Sequence, residues 1–318
     1  MPKDIDPLKT LDRLLRISEK LIDLSIEKSM RQTLIHASTQ ARPVPDFLVD
    51  SDFLNPVSQV LNSSDPITTE TVIGKDDRIR VTNVLEKPFC WVCQILSSAP
   101  GKKVKTAGSG ILIGPKTILT AGHNLYVDSA RANYFQLYLG CNGNRSTAPW
   151  KFQATLSVHH PEYKVNSTSR FDIAIITLEQ PVEAQYFDYY GAMPIMQINP
   201  AEWVGRSALV TGYPKDYPKS DPLNARDFPT PSLGVQAFQY YSKSSLNYNK
   251  GLFNYPLDTS PGQSGSPLVC VAEINGQRSS TCIGVHIQGD AAENRSVPLT
   301  GTIFDWLSSQ ITGSSYLT

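Results

Sequence analysis

Apolar side chains recur at helical spacing near the start of the chain. One row consists of Leu8, Leu11, Leu15, Ile22 and Ile26, and a second consists of Leu14, Ile17, Leu21 and Leu24. Steps of three and four residues, or their sums, place each row on one face of an α-helix. Charged side chains separate the rows, and residues 8–36 contain neither Gly nor Pro. The pattern predicts an amphipathic helix over residues 6–36.

Residues 39–71 are polar and rich in turn-forming residues, above all at 41–45 and 62–66. Exposed segments of this kind are preferred sites of proteolysis. A helix followed by such a linker favours a prosegment over residues 1–70 that folds on the rest of the chain and is later removed. Two alternatives stay open: the helix is a permanent part of a domain, or it remains attached to bind a partner.

From Val72 onward the pattern changes to short apolar runs bounded by Gly, Pro, Asn or Ser. The runs lie at residues 79–82, 91–96, 110–113, 116–120, 135–139, 173–178, 207–212, 235–238, 266–271 and 282–287. Short strands at regular spacing are typical of β-barrels and sandwiches. Residues 302–311 predict a short amphipathic C-terminal helix. The predicted fold class is therefore all-β, with this helix at its end.

Composition narrows the choice of partners and compartment. The 318 residues include 29 basic and 29 acidic side chains, so nothing suggests a nucleic-acid partner. No apolar run reaches the roughly 20 residues that a membrane helix needs. Residues 1–16 are charged and contain no signal peptide, whereas sequons at Asn62, Asn144, Asn166 and Asn294 suit a secreted chain. We expect secretion, with an intracellular location kept open.

The chain has five cysteines, so at least one is unpaired in a monomer. Cys270 and Cys282 flank a polar segment and predict a disulfide that staples a hairpin, the alternative being two buried thiols. Cys90 and Cys93 lie three apart in a strand-like run, where they face opposite sides. We interpret them as core positions, and we expect no metal site and no cofactor.

Three separate motifs carry the candidate chemistry. Ser264 lies between Gly262 and Gly265, which allow a sharp turn that exposes a nucleophile. His123 follows an apolar strand, and Asp172 opens another. Singly, these residues are equally typical of a turn serine, a surface histidine and a strand cap. Together, the order His, Asp, Ser is that of chymotrypsin-type hydrolases.

In this reading Ser264 is the nucleophile and His123 is the base that takes its proton. Asp172 accepts the other imidazole N–H and fixes the tautomer. The main-chain N–H groups of Gly262 and Ser264 are the expected oxyanion donors.

Several blocks of the sequence resemble the bacterial glutamyl endopeptidases, a branch of the chymotrypsin superfamily. They lie at residues 72–83, 113–117, 211–214, 257–267 and 284–286, and the resemblance covers about 72–312. It implies two antiparallel β-barrels, over residues 71–185 and 186–318, with the site between them. His123 and Asp172 would come from the first barrel and Ser264 from the second.

Specificity has two readings. Asp258 lies six residues before Ser264, where trypsin-like enzymes carry the carboxylate that binds Arg or Lys. The resemblance instead implies that His286 and Thr259 bind a substrate carboxylate, with residues from Ile287 to Gly289 pairing with the substrate backbone. We therefore predict a serine endopeptidase that cleaves after Glu, and less readily after Asp.

The resemblance also implies a proenzyme that is cut near Thr71. Because Glu70 precedes Thr71, a Glu-specific enzyme would process itself at this bond. Bacillus members of the branch carry a disulfide beside the catalytic His. Here Asn124 follows His123, so we expect packing alone to hold that loop.

The predicted protein is thus a monomeric protease that acts on protein or peptide substrates. Two alternatives remain: a protease of the same fold that cleaves after Arg or Lys through Asp258, and a catalytically silent homologue that serves as a binding module.

Overall fold

The computed structural model describes residues 34–35, 42–43, 72–73, 76–165, 170–216, 236–237, 239–274, 277–289 and 292–313. The strands of the first part are β1 (Leu34–Ile35), β2 (Arg42–Pro43), β3 (Ile79–Arg80), β4 (Val92–Ser98), β5 (Lys105–Gly114), β6 (Thr117–Thr120), β7 (Tyr126–Val127), β8 (Ala130–Arg131), β9 (Tyr134–Leu139), β10 (Gly143–Asn144), β11 (Trp150–Ala154), β12 (Leu156–His159) and β13 (Ala174–Thr177). Those of the second part are β14 (Ile195–Met196), β15 (Ser207–Gly212), β16 (Gln236–Ala237), β17 (Tyr240–Ser245), β18 (Asn247–Asn249), β19 (Leu252–Tyr255), β20 (Pro267–Ile274), β21 (Gln277–Gly289) and β22 (Asn294–Pro298). The α-helices are α1 (Ala184–Tyr190) and α2 (Gly301–Gly313), and short 3-10 helices span Phe89–Trp91, Gly122–Leu125, Arg145–Thr147 and Pro200–Trp203.

The first sheet has the strand order β11-β9-β4-β5-β6-β13-β12, and neighbouring strands are antiparallel. Strand β9 is buried at every second residue, as its alternating sequence requires. The central strands are buried on both faces. Leu112 and Ile118 join the core inside this sheet, whereas Ile111 and Leu119 join a cluster shared with the second sheet. These strands therefore read as continuous apolar runs in the sequence.

The second sheet follows the path β18-β19-β22-β21-β20-β15-β17-β3, with β14, β1 and β2 paired at its side. All described pairs are antiparallel except those of β14 with β1 and β21. Val210, Phe253, Leu268 and Ile283 are buried in its core.

A shared apolar cluster joins the two sheets. Ile111 and Leu119 of the first sheet and Ile173, just before β13, pack in it with Val285 of the second sheet, and helix α2 adds Phe304. Because both sheets contribute, this cluster brings together the loop after β6, the loop before β13 and the loop before β20.

The structure confirms the predicted fold of two curled antiparallel sheets with a C-terminal helix. Most of the predicted helix over residues 6–36 lies outside the described residues. Leu34 and Ile35, at its end, form a strand instead, because their backbone pairs in parallel with Ile195 and Met196. Neither described α-helix has the length and apolarity that crossing a membrane requires.

The predicted disulfide between Cys270 and Cys282 is absent, and all five cysteines are buried thiols. Cys282 lies opposite Val269, and Cys270 lies opposite Thr281. The two thiols therefore face opposite sides of the sheet, Cys270 in the core of the second sheet and Cys282 in the shared cluster. Cys90 and Cys93 likewise lie in different clusters, as predicted for core positions.

This arrangement predicts five protected thiols. Burial raises the pKa of Cys90, Cys93 and Cys282 to about 12 and that of Cys141 to about 11, which keeps them unreactive. We expect iodoacetamide to leave the native protein unmodified and to add five adducts after unfolding without reductant, as read by intact-mass spectrometry. Three adducts would indicate a disulfide.

Candidate active site

His123 lies in the 3-10 helix Gly122–Leu125, directly after β6. Its main-chain N–H donates to Asp172 Oδ1 at 2.9 Å, and its Nδ1 lies 2.8 Å from Asp172 Oδ2. A carboxylate oxygen accepts, so Nδ1 carries the proton and Nε2 is left as an acceptor. The side chain of His123 is 37% exposed and that of Asp172 is 5% exposed. The imidazole is thus reachable while its carboxylate partner is not.

Strand pairing places Asp172 beside His123. Thr120, the last residue of β6, lies opposite Ala174, the first residue of β13. The chain segments that carry His123 and Asp172 therefore lie at the same end of the sheet. Gly122 permits the close approach, because a Cβ there would lie 3.0 Å from Asp172 Oδ1.

Ser264 lies in the tight loop before β20. Gly262 and Gly265 have φ values of +100° and +88°, which favour glycine. The neighbouring N–H groups are occupied: that of Gln263 donates to Ser260, that of Gly265 to His286 and that of Ser266 to Gln263. Within the described residues, the N–H groups of Gly262 and Ser264 have no acceptor. They remain available to bind a negative oxygen.

The hydroxyl of Ser264 donates to the main-chain carbonyl of Ile287 at 3.3 Å and not to His123. The two loops nevertheless touch, because the amide of Asn124 donates to the Ser264 carbonyl at 2.8 Å. Engagement of His123 Nε2 requires rotation of the Ser264 hydroxyl. Catalytic hydrogen bonds are often loose before substrate binds.

His286 is buried on β21, with Nδ1 2.8 Å from the hydroxyl of Tyr255. Burial, and to a smaller extent the nearby charge of His123, lower the pKa of His286 to about 3. A hydrogen bond with the Arg295 backbone acts in the opposite direction. His286 is therefore neutral at the pH values where proteases work.

Thr259 is also buried, but its hydroxyl donates to Asn294 Oδ1 at 2.8 Å. The Asn294 amide in turn donates to the carbonyl of Leu257. The Thr259 proton is thus directed toward Asn294, whereas the resemblance implies a bond with a substrate carboxylate, which stays a prediction. Asn294 is fully buried, so its sequon is inaccessible in the folded chain.

The carboxyl of Asp258 is held by main-chain N–H groups of the segment that begins at residue 72. Its Oδ1 accepts from the N–H of Ile73 at 2.6 Å and its Oδ2 from the N–H of Asp77 at 2.7 Å. The residue is 2% exposed, and burial raises the pKa of its carboxyl to about 7. It anchors the segment that follows the predicted cleavage site.

The remaining predicted residues are the processing and backbone-binding positions. Glu70 and Thr71 lie outside the described residues. Ile287 is the extra residue of a bulge between β21 and β22, and Gly289 pairs with Asn294.

The profile described as Trypsin matches residues 82–306. The chain belongs to the trypsin family of serine proteases. A glutamyl endopeptidase of Bacillus licheniformis is 27% identical over 246 residues, which are 76% of this chain and 69% of that protein. An extracellular metalloprotease of Bacillus subtilis is 25% identical over 237 residues, 74% of this chain and 68% of that protein.

Two solved structures share the chymotrypsin-like fold. A Glu endopeptidase in complex with MPD superposes with a TM-score of 0.58 and 23% identity, covering 76% of this chain and 99% of its own. Protease Anisep from Arthrobacter nicotinovorans superposes with a TM-score of 0.54 and 17% identity, covering 74% and 100%.

Within the described part of this trypsin-family chain, no three His, Cys, Asp or Glu side chains are grouped to hold a metal ion.

The sequence did not indicate a role in the site for three polar residues: Tyr255, Asn294 and Asn124. Each contacts a predicted residue, but only tertiary packing brings it there. The sequon drew attention to Asn294 for an unrelated reason.

The environment of Asp258 predicts a pH-dependent stability difference. Between about pH 4 and 7 this carboxyl is protonated in the folded chain and ionised in the unfolded chain, so its contribution to stability falls as the pH rises. We expect wild type to lose stability relative to Asp258→Asn over this range, by at most about 1.4 kcal/mol per pH unit.

Urea unfolding of both proteins at each pH measures this difference. The comparison cancels other groups, including His286, whose lowered pKa gives the opposite slope below about pH 6.5. Parallel stability curves would contradict the raised pKa of Asp258.

Proposed function

We propose that this trypsin-family protease is an endopeptidase that cleaves after Glu, and less readily after Asp. Ser264 is its nucleophile, His123 its general base and Asp172 the group that orients the base. The observation that carries the proposal is the 2.8 Å contact between Asp172 and His123 beside a loop with two unused N–H groups.

The chemistry follows from these positions. The Ser264 hydroxyl turns from Ile287 to His123 Nε2, gives up its proton and attacks the substrate carbonyl carbon. The resulting oxyanion accepts from the N–H groups of Gly262 and Ser264. His123 then passes the proton to the leaving amine, which leaves an acyl-enzyme. Water, deprotonated by His123, hydrolyses the ester and restores the Ser264 hydroxyl.

Preference for Glu draws on His286 and on the glutamyl endopeptidase among the relatives. His286 Nδ1 lies 2.8 Å from the Tyr255 hydroxyl, and in the tautomer in which that hydroxyl donates, the proton of the neutral ring resides on Nε2. That N–H is the donor that a substrate carboxylate needs in a dry pocket. Thr259 joins it only if its hydroxyl turns away from Asn294, so His286 carries the larger part of the preference.

Cleavage after Arg or Lys is disfavoured by the position of Asp258. Both of its carboxylate oxygens are engaged by the N–H groups of Ile73 and Asp77. A basic side chain would have to displace this segment to reach them.

We also propose that the chain is made as a secreted proenzyme that is cut between Glu70 and Thr71. The contacts of Asp258 dock Ile73 and Asp77, just after this bond, on the loop that leads to Ser264. A relative named as an extracellular protease supports secretion.

Chromogenic peptides that differ only in the residue before the cut test the specificity. We expect kcat/KM for Glu to exceed that for Gln or Arg by about 100-fold or more, because a site built to bind a carboxylate rejects its isostere. His286→Leu should remove most of the difference between Glu and Gln, and Ser264→Ala is the inactive control. Preference for Arg would support the role of Asp258, and absence of turnover would support the silent homologue.

Processing is tested on the full-length protein by mass spectrometry. We expect wild type to accumulate a chain that begins at Thr71, while Ser264→Ala stays intact and Glu70→Gln is cut slowly there. A mature chain that starts elsewhere would contradict self-processing at Glu70.

A further inference from the structure

Asn124 has no part in the proposed chemistry, although its amide lies against the backbone of the nucleophile. The residue is 1% exposed. Its Nδ2 donates to the Ser264 carbonyl at 2.8 Å and to Thr120 Oγ1 at 2.9 Å. It thus links the turn that carries His123 to the loop that carries Ser264.

The orientation of this amide follows from its neighbours. A main-chain carbonyl can only accept, so Nδ2 must face Ser264. The Thr120 hydroxyl gives its proton to the Ser109 carbonyl at 2.7 Å, and so it too accepts from Asn124.

Ser109 completes the contact from the first sheet. Its N–H donates to the Ser264 carbonyl at 2.8 Å, and its hydroxyl donates to the Gly262 carbonyl at 2.9 Å. Ser109 and Asn124 therefore hold the carbonyls of the two residues whose N–H groups form the proposed oxyanion site.

Close packing leaves the Ser264 loop almost no space in which to shift. A Cβ at Gly265 would lie 2.1 Å from the Ser109 carbonyl, and one at Gly108 would lie 2.4 Å from both Asn124 Nδ2 and the Ser264 carbonyl. Contacts this close require glycine at both positions and leave the Ser264 carbonyl facing its two donors.

The Oδ1 of Asn124 is buried and, within the described residues, receives no hydrogen bond. The hydrogen bonds of this side chain to the described residues are therefore all made by Nδ2, to Ser264 and Thr120.

We propose that Asn124 is a positioning residue that sets the place of Ser264 relative to His123. The inference rests on the proposed function, because it gives these two residues their catalytic roles. Asn124 contacts the Ser264 carbonyl and, within the described residues, makes no hydrogen bond with His286, so we expect it to affect the chemical step more than substrate recognition.

Kinetics of Asn124→Ala with the Glu peptide test the proposal. We expect kcat to fall about 10- to 100-fold, since displacement of a reacting group by about 1 Å has effects of this size. KM and the ratio of Glu to Gln cleavage should stay within about twofold. Ser109→Ala, which removes the donor to Gly262 and the acceptor of the Tyr213 N–H but keeps the N–H to Ser264, should show a smaller loss of kcat.

Leu137→Ala is the control for general destabilisation. Leu137 is buried in the core of the first sheet, on β9, outside both loops. This variant should lower the melting temperature at least as much as Asn124→Ala and keep kcat within about twofold. An unchanged kcat in a folded Asn124→Ala would overturn the proposal, as would an equal loss in Leu137→Ala. If Asn124→Ala does not fold, Asn124→Asp, which keeps the shape of the side chain but replaces the donor with an acceptor, decides in the same way.

Hydrogen exchange separates this inference from the proposed function. In Asn124→Ala, a peptide spanning residues 258–267 should exchange at least about tenfold faster than in wild type, whether or not the protein cleaves peptides. Unchanged exchange overturns the positioning role even if cleavage after Glu is confirmed. If wild type shows no turnover and Asn124→Ala still exchanges faster, the proposed function is overturned, but the contact between Asn124 and the Ser264 loop is supported.

Discussion

A buried carboxylate is the constraint on which the active site depends. Asp172 accepts from both the main chain and the ring of His123, so it fixes the position of the imidazole and the nitrogen that carries its proton. This arrangement holds because β6 and β13 are antiparallel neighbours in the first sheet, and β6 ends opposite the residue at which β13 begins. The apolar cluster packs the two sheets together, and the Ser264 loop contacts the turn that carries His123 through the Asn124 amide. The position of the His123 proton consequently depends on the register of β6 and β13 and on the packing of the two sheets.

Burial favours the neutral forms of two titratable side chains near the Ser264 loop. Burial keeps His286 neutral and raises the pKa of the Asp258 carboxyl to about 7. A carboxylate that binds near His286 would meet a neutral N–H donor and would not depend on a titrating histidine. Asp258 faces the N–H groups of Ile73 and Asp77, so this carboxyl and the chain after the predicted cleavage site depend on each other for satisfied hydrogen bonds.

The all-β class was predictable because short apolar runs lie between turn residues, and the resemblance to the glutamyl endopeptidases added the division into two parts. The positions of Ser264, His123 and Asp172 were predictable as candidates because each lies at the end of such a run. Side-chain direction was not. Cys270 and Cys282 differ by one place in register, and Thr259 turns toward Asn294, a partner 35 residues away. The loop after His123, expected to rely on packing, is tied to Ser264 by the Asn124 amide.

Labelling by a fluorophosphonate tests the central claim most directly, because this reagent reacts only with a serine activated by a neighbouring base. Peptide mapping by mass spectrometry should find the adduct on Ser264 of the processed wild type. His123→Ala should react at least about a thousandfold more slowly, as expected when the base is removed from such a triad. An adduct on another residue, or equal labelling rates in the two proteins, would contradict the account.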